Sequence, residues 1–383
     1  MKKRILHVVN SEFVLNYYFG DQILFFQQNG YEVFIACPDG PIYKKFITNY
    51  NLKYLQVNIT RKFSIFQDFI AIYNIYSVLK EYKIGIVFGH TPKGALISMM
   101  SSYLSSIKCR VYVRHGLMYE TSYGLKRLLF ISIERFTSLL STHIICVSNS
   151  VFNISVKKKL SPEHKMIIIG KGTYNGVDSK VLFNPNLIND KIYLEDKHDL
   201  YDKQVIGFVG RIVKDKGIEE LLEAWKILLK TKKDIILLII GPFEHRDSIS
   251  LDLINYIRNE PTIIHVNYTT LVQCFYKLMD IFILPSRREG FPTVNLEASS
   301  MMVPVITTKS TGCIDSIIDK YTGIFCELSS DSIQKAIIYY LENPQKRIEH
   351  GKNGRKFVKQ NFDQSIVWNE LLKFINNITH ETH

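Results

Sequence analysis

The sequence predicts an α/β protein made of two doubly wound domains, each a parallel sheet covered by helices. Three observations predict it. Short apolar runs alternate with longer amphipathic stretches along the whole chain. The alternation breaks once, between Asn184 and Lys203, where Pro185 and a dense mix of Asp, Asn and Lys show little apolar periodicity, and then it restarts. A length of 383 residues suits two to three domains, at roughly 150 residues each. The expected organisation is a first domain over 1–183, a connection over 184–203, a second domain over 204–360, and a helix and tail over 361–383 that return toward the first domain.

In the first half, Ile5–Val9, Glu32–Cys37, Tyr54–Ile59, Ile84–Phe88, Arg110–Val113, His143–Val147 and Met166–Ile169 are strand-like. Helical patterns separate them, among them Gly20–Asn29, Ile65–Tyr82 and Leu125–Leu140. In the second half the strand-like runs are Val205–Val209, Ile235–Ile240, Thr262–Val266, Ile281–Pro285 and Val303–Thr307. A last helical pattern carries Ile366, Trp368, Leu371, Leu372, Phe374 and Ile375.

Composition narrows the function classes. The longest unbroken aliphatic stretch, Ile235 to Ile240, is far short of the roughly 20 residues of a membrane-spanning helix. Ile5 to Asn10 is too short and too soon polar for a signal peptide. The six cysteines, at 37, 109, 146, 274, 313 and 326, contain no C-x-x-C, so the chain reads as cytosolic and reduced, with neither a zinc site nor a disulfide framework. The net charge of +12 is one-sided. Residues 1–175 hold 22 Lys and Arg against 9 Asp and Glu, and residues 176–383 hold 26 against 27. A one-sided basic field suggests a polyanionic neighbour. No zinc-finger or RNA-binding signature accompanies it, so an anionic membrane surface or a phosphorylated substrate is expected before nucleic acid.

In doubly wound sheets ligands bind beyond the carboxyl ends of the strands, so the segments just after strands carry the candidate chemistry. Val205–Val209 runs into Gly210, then Arg211 and Lys216, then Gly217 and a helix with Glu219 and Glu220 in its first turn. Two cations on a bare loop near a helix amino end suit a diphosphate. Ile281–Pro285 is followed by Ser286-Arg-Arg-Glu-Gly-Phe-Pro292 and a helix from Thr293. Glu289 lies in that loop and Glu297 in that helix, about 7 Å further along the axis. The main chain of Gly290, Phe291, Pro292, Thr293 and Val294, with an N–H on each residue but the proline, suits a helix mouth for anionic or hydroxylated ligand atoms. A carboxylate beside a diphosphate is tolerated where it binds hydroxyls, so a sugar ligand suits both acids.

The stretch from Pro285 to Ala298 closely resembles the donor-site motif of family-4 retaining glycosyltransferases, and Val209-Gly-Arg211 through Lys216-Gly217 resembles their other donor signature. Pro304-Val-Ile-Thr-Thr with Gly312 and Asp315 resembles the next strand and loop. The resemblance implies a GT-B fold, two Rossmann-like domains facing across a cleft, with the nucleotide-sugar in the second. It implies that Arg211 and Lys216 bind the diphosphate, that Glu297 holds the ribose hydroxyls, and that Glu289 contacts the transferred sugar.

In the first half, His90-Thr-Pro-Lys93 and Arg114-His115 follow strands. The block from His115 through Glu120, Glu134-Arg135 and Ser148 to Asn175-Gly-Val-Asp178 resembles bacterial capsule and O-antigen transferases. There His115 matches a residue beside the donor sugar and is expected to be catalytic with Glu289. His90, Lys93, Arg114 and Glu120 are expected on the acceptor side. Many members carry a Gly-Gly loop after the first strand. Here Asn10–Gly20 retains only Gly20, so no donor contact is assigned to it. There is no D-x-D for a divalent ion, and neither metal nor cofactor is expected.

The expectation is a retaining, metal-independent hexosyltransferase. It would pass a sugar, an N-acetylhexosamine being one candidate, from a nucleotide-sugar, foremost a UDP-sugar, to a hydroxyl of a polyprenyl-diphosphate-linked or other glycan acceptor. It would serve bacterial surface polysaccharide biosynthesis, in the cytoplasm and peripherally on the inner face of the cytoplasmic membrane. Two rivals stand beside it: a nucleotide-sugar epimerase or hydrolase on the same fold, and a non-enzymatic basic binding module.

Overall fold

The structure, a computed structural model, describes residues 3–60, 64–188, 200, 202–244 and 247–380. The chain forms two compact units, one of residues 1–175 with 365–383 and one of residues 176–364. The first holds a seven-stranded sheet: β1 (Lys3–Val8), β2 (Tyr31–Cys37), β3 (Tyr54–Gln56), β4 (Ile86–Gly89), β5 (Cys109–Arg114), β6 (His143–Cys146) and β7 (Met166–Ile167). Its order is β3-β2-β1-β4-β5-β6-β7 and every pairing is parallel. The second holds β8 (Gln204–Val209), β9 (Ile235–Ile240), β10 (Ile263–Val266), β11 (Ile281–Leu284), β12 (Val305–Thr308) and β13 (Gly323–Cys326), ordered β10-β9-β8-β11-β12-β13 and all parallel. The strand order reverses between β1 and β4 and between β8 and β11, and these reversals open the crevices where ligands of such sheets bind.

Central strands such as β9, with all six residues buried, are continuous aliphatic runs because helices cover both faces. β13 escaped the sequence reading because its Gly-Ile-Phe-Cys holds a single β-branched residue. Tyr54–Ile59 leaves the sheet after Gln56, although Val57 and Ile59 remain buried.

The unit boundaries fall elsewhere than the polar break suggested. Residues 176–183 join the second unit through Val177 N–H to Phe362 O (2.9 Å), Ser179 Oγ to Asp363 Oδ2 (2.6 Å) and Ser300 Oγ to Phe183 O (2.8 Å). Most of the expected 184–203 connection, residues 189–199 and 201, lies outside the described residues. The final helix, Gln364–His380, belongs from Ser365 onward to the first unit. There Trp368 Nε1 donates to Asn175 O at 2.9 Å and Tyr31 Oη to Asn376 Oδ1 at 2.7 Å. The uneven charge follows these units. The first has 23 Lys and Arg against 11 Asp and Glu, and the second has 25 of each.

The many aromatic and aliphatic residues of Ile65–Tyr82 suit an interfacial face or, the reading favoured, burial in the core, and the helix Ile65–Glu81 is not wholly buried. Only its inner stripe is, through Ala71, Ile72, Ile75 and Leu79. Ile65, Phe66, Phe69, Ile70 and Tyr73 are exposed. The helix Gly124–Leu140 likewise exposes Leu125, Leu128, Leu129, Phe136 and Leu139. Both pack against the helix Pro92–Leu104, whose Tyr103 and Leu104 are also exposed.

Arg114, at the end of β5, is fully buried. Its Nε donates to Glu134 Oε2 at 3.1 Å and its Nη2 to Ser138 Oγ at 2.7 Å, while Tyr112 Oη donates to Glu134 Oε1 at 2.9 Å. Glu134→Ala would strand a buried guanidinium. We expect it to cost about 3–5 kcal/mol of stability in urea unfolding. A loss below about 1 kcal/mol would show that the pair contributes little to the fold.

Candidate active site

In the second unit the loops after β8 and β11 lie at the strand-order reversal, and the main chain holds them together. Arg287 N–H donates to Asp215 O at 2.9 Å, and Arg288 Nη2 pairs with Asp215 Oδ2 at 2.8 Å. Gly217 sits at φ +67°, and a Cβ there would come within 2.0 Å of Pro285 O, so only glycine allows the two loops this close. Lys216 thereby reaches Glu289, and its Nζ pairs with Glu289 Oε1. Ser286 Oγ donates to the same oxygen at 2.7 Å. The loop after β12 supports the other side: Glu289 N–H donates to Thr311 O at 2.8 Å, and Thr308 Oγ1 and Ser310 Oγ donate to Ser286 O at 2.6 and 2.8 Å. Gly312, at φ +77°, lies against the carbonyls of Glu289 and Gly290.

Arg211 is more exposed, and its Nη1 meets Glu244 Oε2 at 2.5 Å. Gly290, Phe291, Pro292 and Thr293 are buried and Val294 is half-buried, so this stretch offers a ligand main chain rather than side chains. The helix Thr293–Ser300 carries Glu297 half-buried, with Tyr276 Oη donating to its Oε2 at 2.9 Å. Tyr276, on the short helix Val272–Tyr276, had no sequence motif to announce it. Two carboxylates, two cations and a helix amino end therefore stand on adjacent loops of one sheet edge. They can bind a ligand carrying both anionic and hydroxyl groups.

The first unit sorts its candidates differently. His90 is buried; its Nε2 lies 3.0 Å from His7 Nδ1 and its Nδ1 2.9 Å from His115 Nε2. His115 is half-buried and Tyr18 stacks on its ring at 3.8 Å. Lys93 is buried and pairs with Asp68 Oδ1 at 2.7 Å. Of the residues expected on the acceptor side, Lys93 and Arg114 thus stand in internal ion pairs, which supply the fixed counter-charge that a buried cation requires, and His90 bonds to His7 and His115. Glu120 lies half-buried in the turn Met118–Thr121. His7 and Tyr18 were missed. His7 sits inside a strand pattern, and Tyr18 lies on the Asn10–Gly20 loop to which no role was given.

Burial pushes the Glu297 carboxyl up from its ordinary 4.5 to about 7, against the pull of the Tyr276 hydroxyl. Between these values the folded protein keeps a proton that the unfolded chain has released. The stabilisation is therefore full below pH 4.5, falls as pH rises and is gone above pH 7. Glu297→Gln should remove that slope. Comparing urea midpoints at pH 5 and pH 8, wild type should lose about 1–3 kcal/mol more than the variant. Parallel losses would mean that this carboxyl is not desolvated.

The family model described as "Glycosyl transferases group 1" matches residues 190–357, and the one described as "Glycosyltransferase Family 4" matches residues 17–180. The capsular polysaccharide biosynthesis glycosyltransferase CapM of Staphylococcus aureus is 32% identical over 365 residues, 94% of either chain. The UDP-Gal:alpha-D-GlcNAc-diphosphoundecaprenol alpha-1,3-galactosyltransferase of Escherichia coli is 25% identical over 73% of this chain and 72% of its own. The crystal structure of Anabaena Alr3699/HepE in complex with UDP and glucose matches with a TM-score of 0.80 at 15% identity, covering 98% of this chain and all of that one, a likeness of fold. With a relative this similar along nearly its whole length and a family model matching on each half, the chain belongs to the family 4 glycosyltransferases, of GT-B fold.

Proposed function

We propose that this glycosyltransferase is retaining and metal-independent, and that it passes a sugar from a UDP-sugar to a hydroxyl of a lipid-diphosphate-linked glycan during assembly of a bacterial surface polysaccharide. The observation that carries this reading is the pair of loops locked together by Gly217 and the Lys216–Glu289 contact. The E. coli relative is named for a UDP-Gal donor and a diphosphoundecaprenol acceptor, and the S. aureus relative for capsular polysaccharide biosynthesis. On this reading Arg211 and Lys216 hold the diphosphate, Glu297 the ribose hydroxyls and Glu289 the transferred sugar, and His115 hydrogen-bonds a sugar hydroxyl. The acceptor attacks from the face the diphosphate leaves, and the leaving phosphate oxygen takes the acceptor proton. Cationic side chains and a helix amino end stabilise that leaving group.

The reading also places the first unit at the cytoplasmic face of an anionic membrane. The whole excess of positive charge lies on that unit, which exposes the apolar stripes of Ile65–Glu81 and Gly124–Leu140. Basic charge beside aromatic and aliphatic side chains suits the lipid headgroup boundary. No helix among the described residues is long and apolar enough to cross a membrane, so the contact proposed is with its surface.

Nucleotide release from UDP-, GDP-, ADP- and dTDP-sugars, in EDTA and with or without crude lipid-linked acceptor, tests the chemistry. Release from UDP-sugars that rises with acceptor is expected, whereas turnover of donor alone would favour an epimerase or hydrolase. Arg211→Ala should lower transfer a few hundred-fold, about 2.7–4 kcal/mol of lost transition-state stabilisation; full activity would remove Arg211 from the mechanism. In vesicle flotation, wild type should bind anionic vesicles and be released by salt. Phe69→Asp with Leu128→Asp should weaken binding at every ionic strength, and flotation indifferent to anionic lipid would refute the membrane reading.

A further inference from the structure

One group of titratable side chains in the first unit has no part in the chemistry above beyond its outermost member. His7 lies on β1 and His90 just past β4, where the strand order reverses, and His115 follows β5. Leu6 and Val8 point into the hydrophobic core on one face of the sheet, so His7 points to the other. The three rings form a chain: His7 Nδ1 to His90 Nε2 at 3.0 Å, and His90 Nδ1 to His115 Nε2 at 2.9 Å. His7 and His90 are buried and His115 is half-buried, so the chain runs from the interior to the accessible edge of the sheet. Among the described residues no group of three or more His, Cys, Asp or Glu is placed to hold a metal ion, so the ring contacts are hydrogen bonds.

Counting protons fixes what such a chain can do. Burial drives His7 and His115 down to about 3 and His90 well below its usual value, so at neutral pH each ring is neutral and carries one N–H. His90 uses both nitrogens within the chain, donating at one and accepting at the other. The two contacts must therefore point the same way, and only two arrangements remain: all three rings protonated at Nε2, or all three at Nδ1. The tautomer of His115 is tied to that of His7.

His7 Nε2 decides between them. It is buried without a hydrogen-bond partner among the described residues. The rings of Phe19 and Phe88 lie 4.8 and 5.0 Å from the His7 ring. In these apolar surroundings nothing at His7 Nε2 opposes the ordinary preference of a neutral histidine ring for its Nε2–H tautomer, and since the three rings share one arrangement that preference acts on all of them together. We propose that His7 and His90 are positioning residues that hold His115 in its Nε2-protonated tautomer, leaving Nδ1 as a permanent acceptor for a hydroxyl hydrogen. That this hydroxyl belongs to a sugar rests on the glycosyltransferase reading; the tautomer does not. Tyr18, stacked on His115, and Tyr174, edge-on to His90 and His115 at 5.0 and 5.6 Å, are the other titratable groups packed on the chain. Burial raises Tyr174 well above its usual value, so its ring stays neutral.

The test is ¹⁵N NMR of the full chain labelled at histidine, with no ligand added. For wild type we expect His115 to show a bare Nδ1 and a protonated Nε2, unchanged between pH 6 and pH 9. A protonated Nδ1 in wild type overturns the proposal. His90→Phe keeps a ring and breaks both bonds, so His115 should become a tautomer mixture and titrate nearer its ordinary range. His7→Asn, whose side-chain amide can stand where Nδ1 stood, should keep the wild-type signature, and His7→Phe should lose it. In transfer assays His90→Phe and His7→Phe should lower kcat by about 100-fold with donor KM unchanged, the scale of a misdirected proton acceptor, and give the pH–rate profile a new limb near neutrality. His7→Asn should recover most of that loss. An unchanged tautomer and pH profile in the Phe variants overturns the proposal. If His90→Phe fails to fold, the His7 pair carries the same test. The predicted NMR signatures without sugar transfer would refute the glycosyltransferase chemistry and leave the relay standing; transfer without the signatures would do the reverse.

Discussion

Much of the second unit's site rests on one close approach, the α-carbon of Gly217 against the carbonyl of Pro285. Any side chain at 217 would push the loop after β8 away from the loop after β11. The Asp215 contacts to Arg287 and Arg288 and the meeting of Lys216 with Glu289 all depend on that spacing. Polar groups on separate loops stay in register when main chain rather than flexible side chains sets their separation, as an electrostatic site built ahead of its ligand requires. The parallel sheet makes the approach possible, since β8 and β11 are neighbours whose chains leave in opposite lateral directions.

The first unit solves the equivalent problem at its own strand-order reversal with neutral groups. Its buried cations, Lys93 and Arg114, are matched by Asp68 and Glu134; the first pair ties two helices together and the second ties a helix to the sheet. What reaches the accessible edge is imidazole, flanked by aromatic rings. The two units thus contrast sharply: one edge offers carboxylates and cations on tightly held loops, the other an uncharged aromatic wall.

The sheets were legible because parallel strands covered on both faces leave long aliphatic runs, as in Ile235–Ile240, bounded by glycine, proline and polar turns. The donor loops were legible because spacing within one short segment carries them. Pro285 to Ala298 keeps its meaning in any tertiary context that starts with a strand and ends in a helix. The first unit was harder. His7, His90 and His115 come from three strands that are neighbours in the order β1-β4-β5, and nothing in the sequence states that order. A cation after a strand looks the same whether it faces a ligand or an internal carboxylate, so the sequence did not announce the partners of Arg114 and Lys93, while Arg211 and Lys216 stand on the loops expected. Ile65–Tyr82 stayed between an interfacial face and core burial because aromatic residues on both sides of a helix look alike until its packing partner is known.

The return of the last helix to the first unit sets an order of assembly. Val367, Leu371, Phe374, Ile375 and Ile378 are buried there, and the Cys109 thiol meets the carbonyl of Ile378 at 3.4 Å. On the ribosome residues 1–175 emerge before the second unit, but the seat for this helix stays open until some 200 more residues have been added. The second unit, continuous from 176 to 364, can close as soon as it is released. Of the two units, the one begun earlier is therefore completed later, and it waits with a bare apolar seat that chaperones and proteases can read.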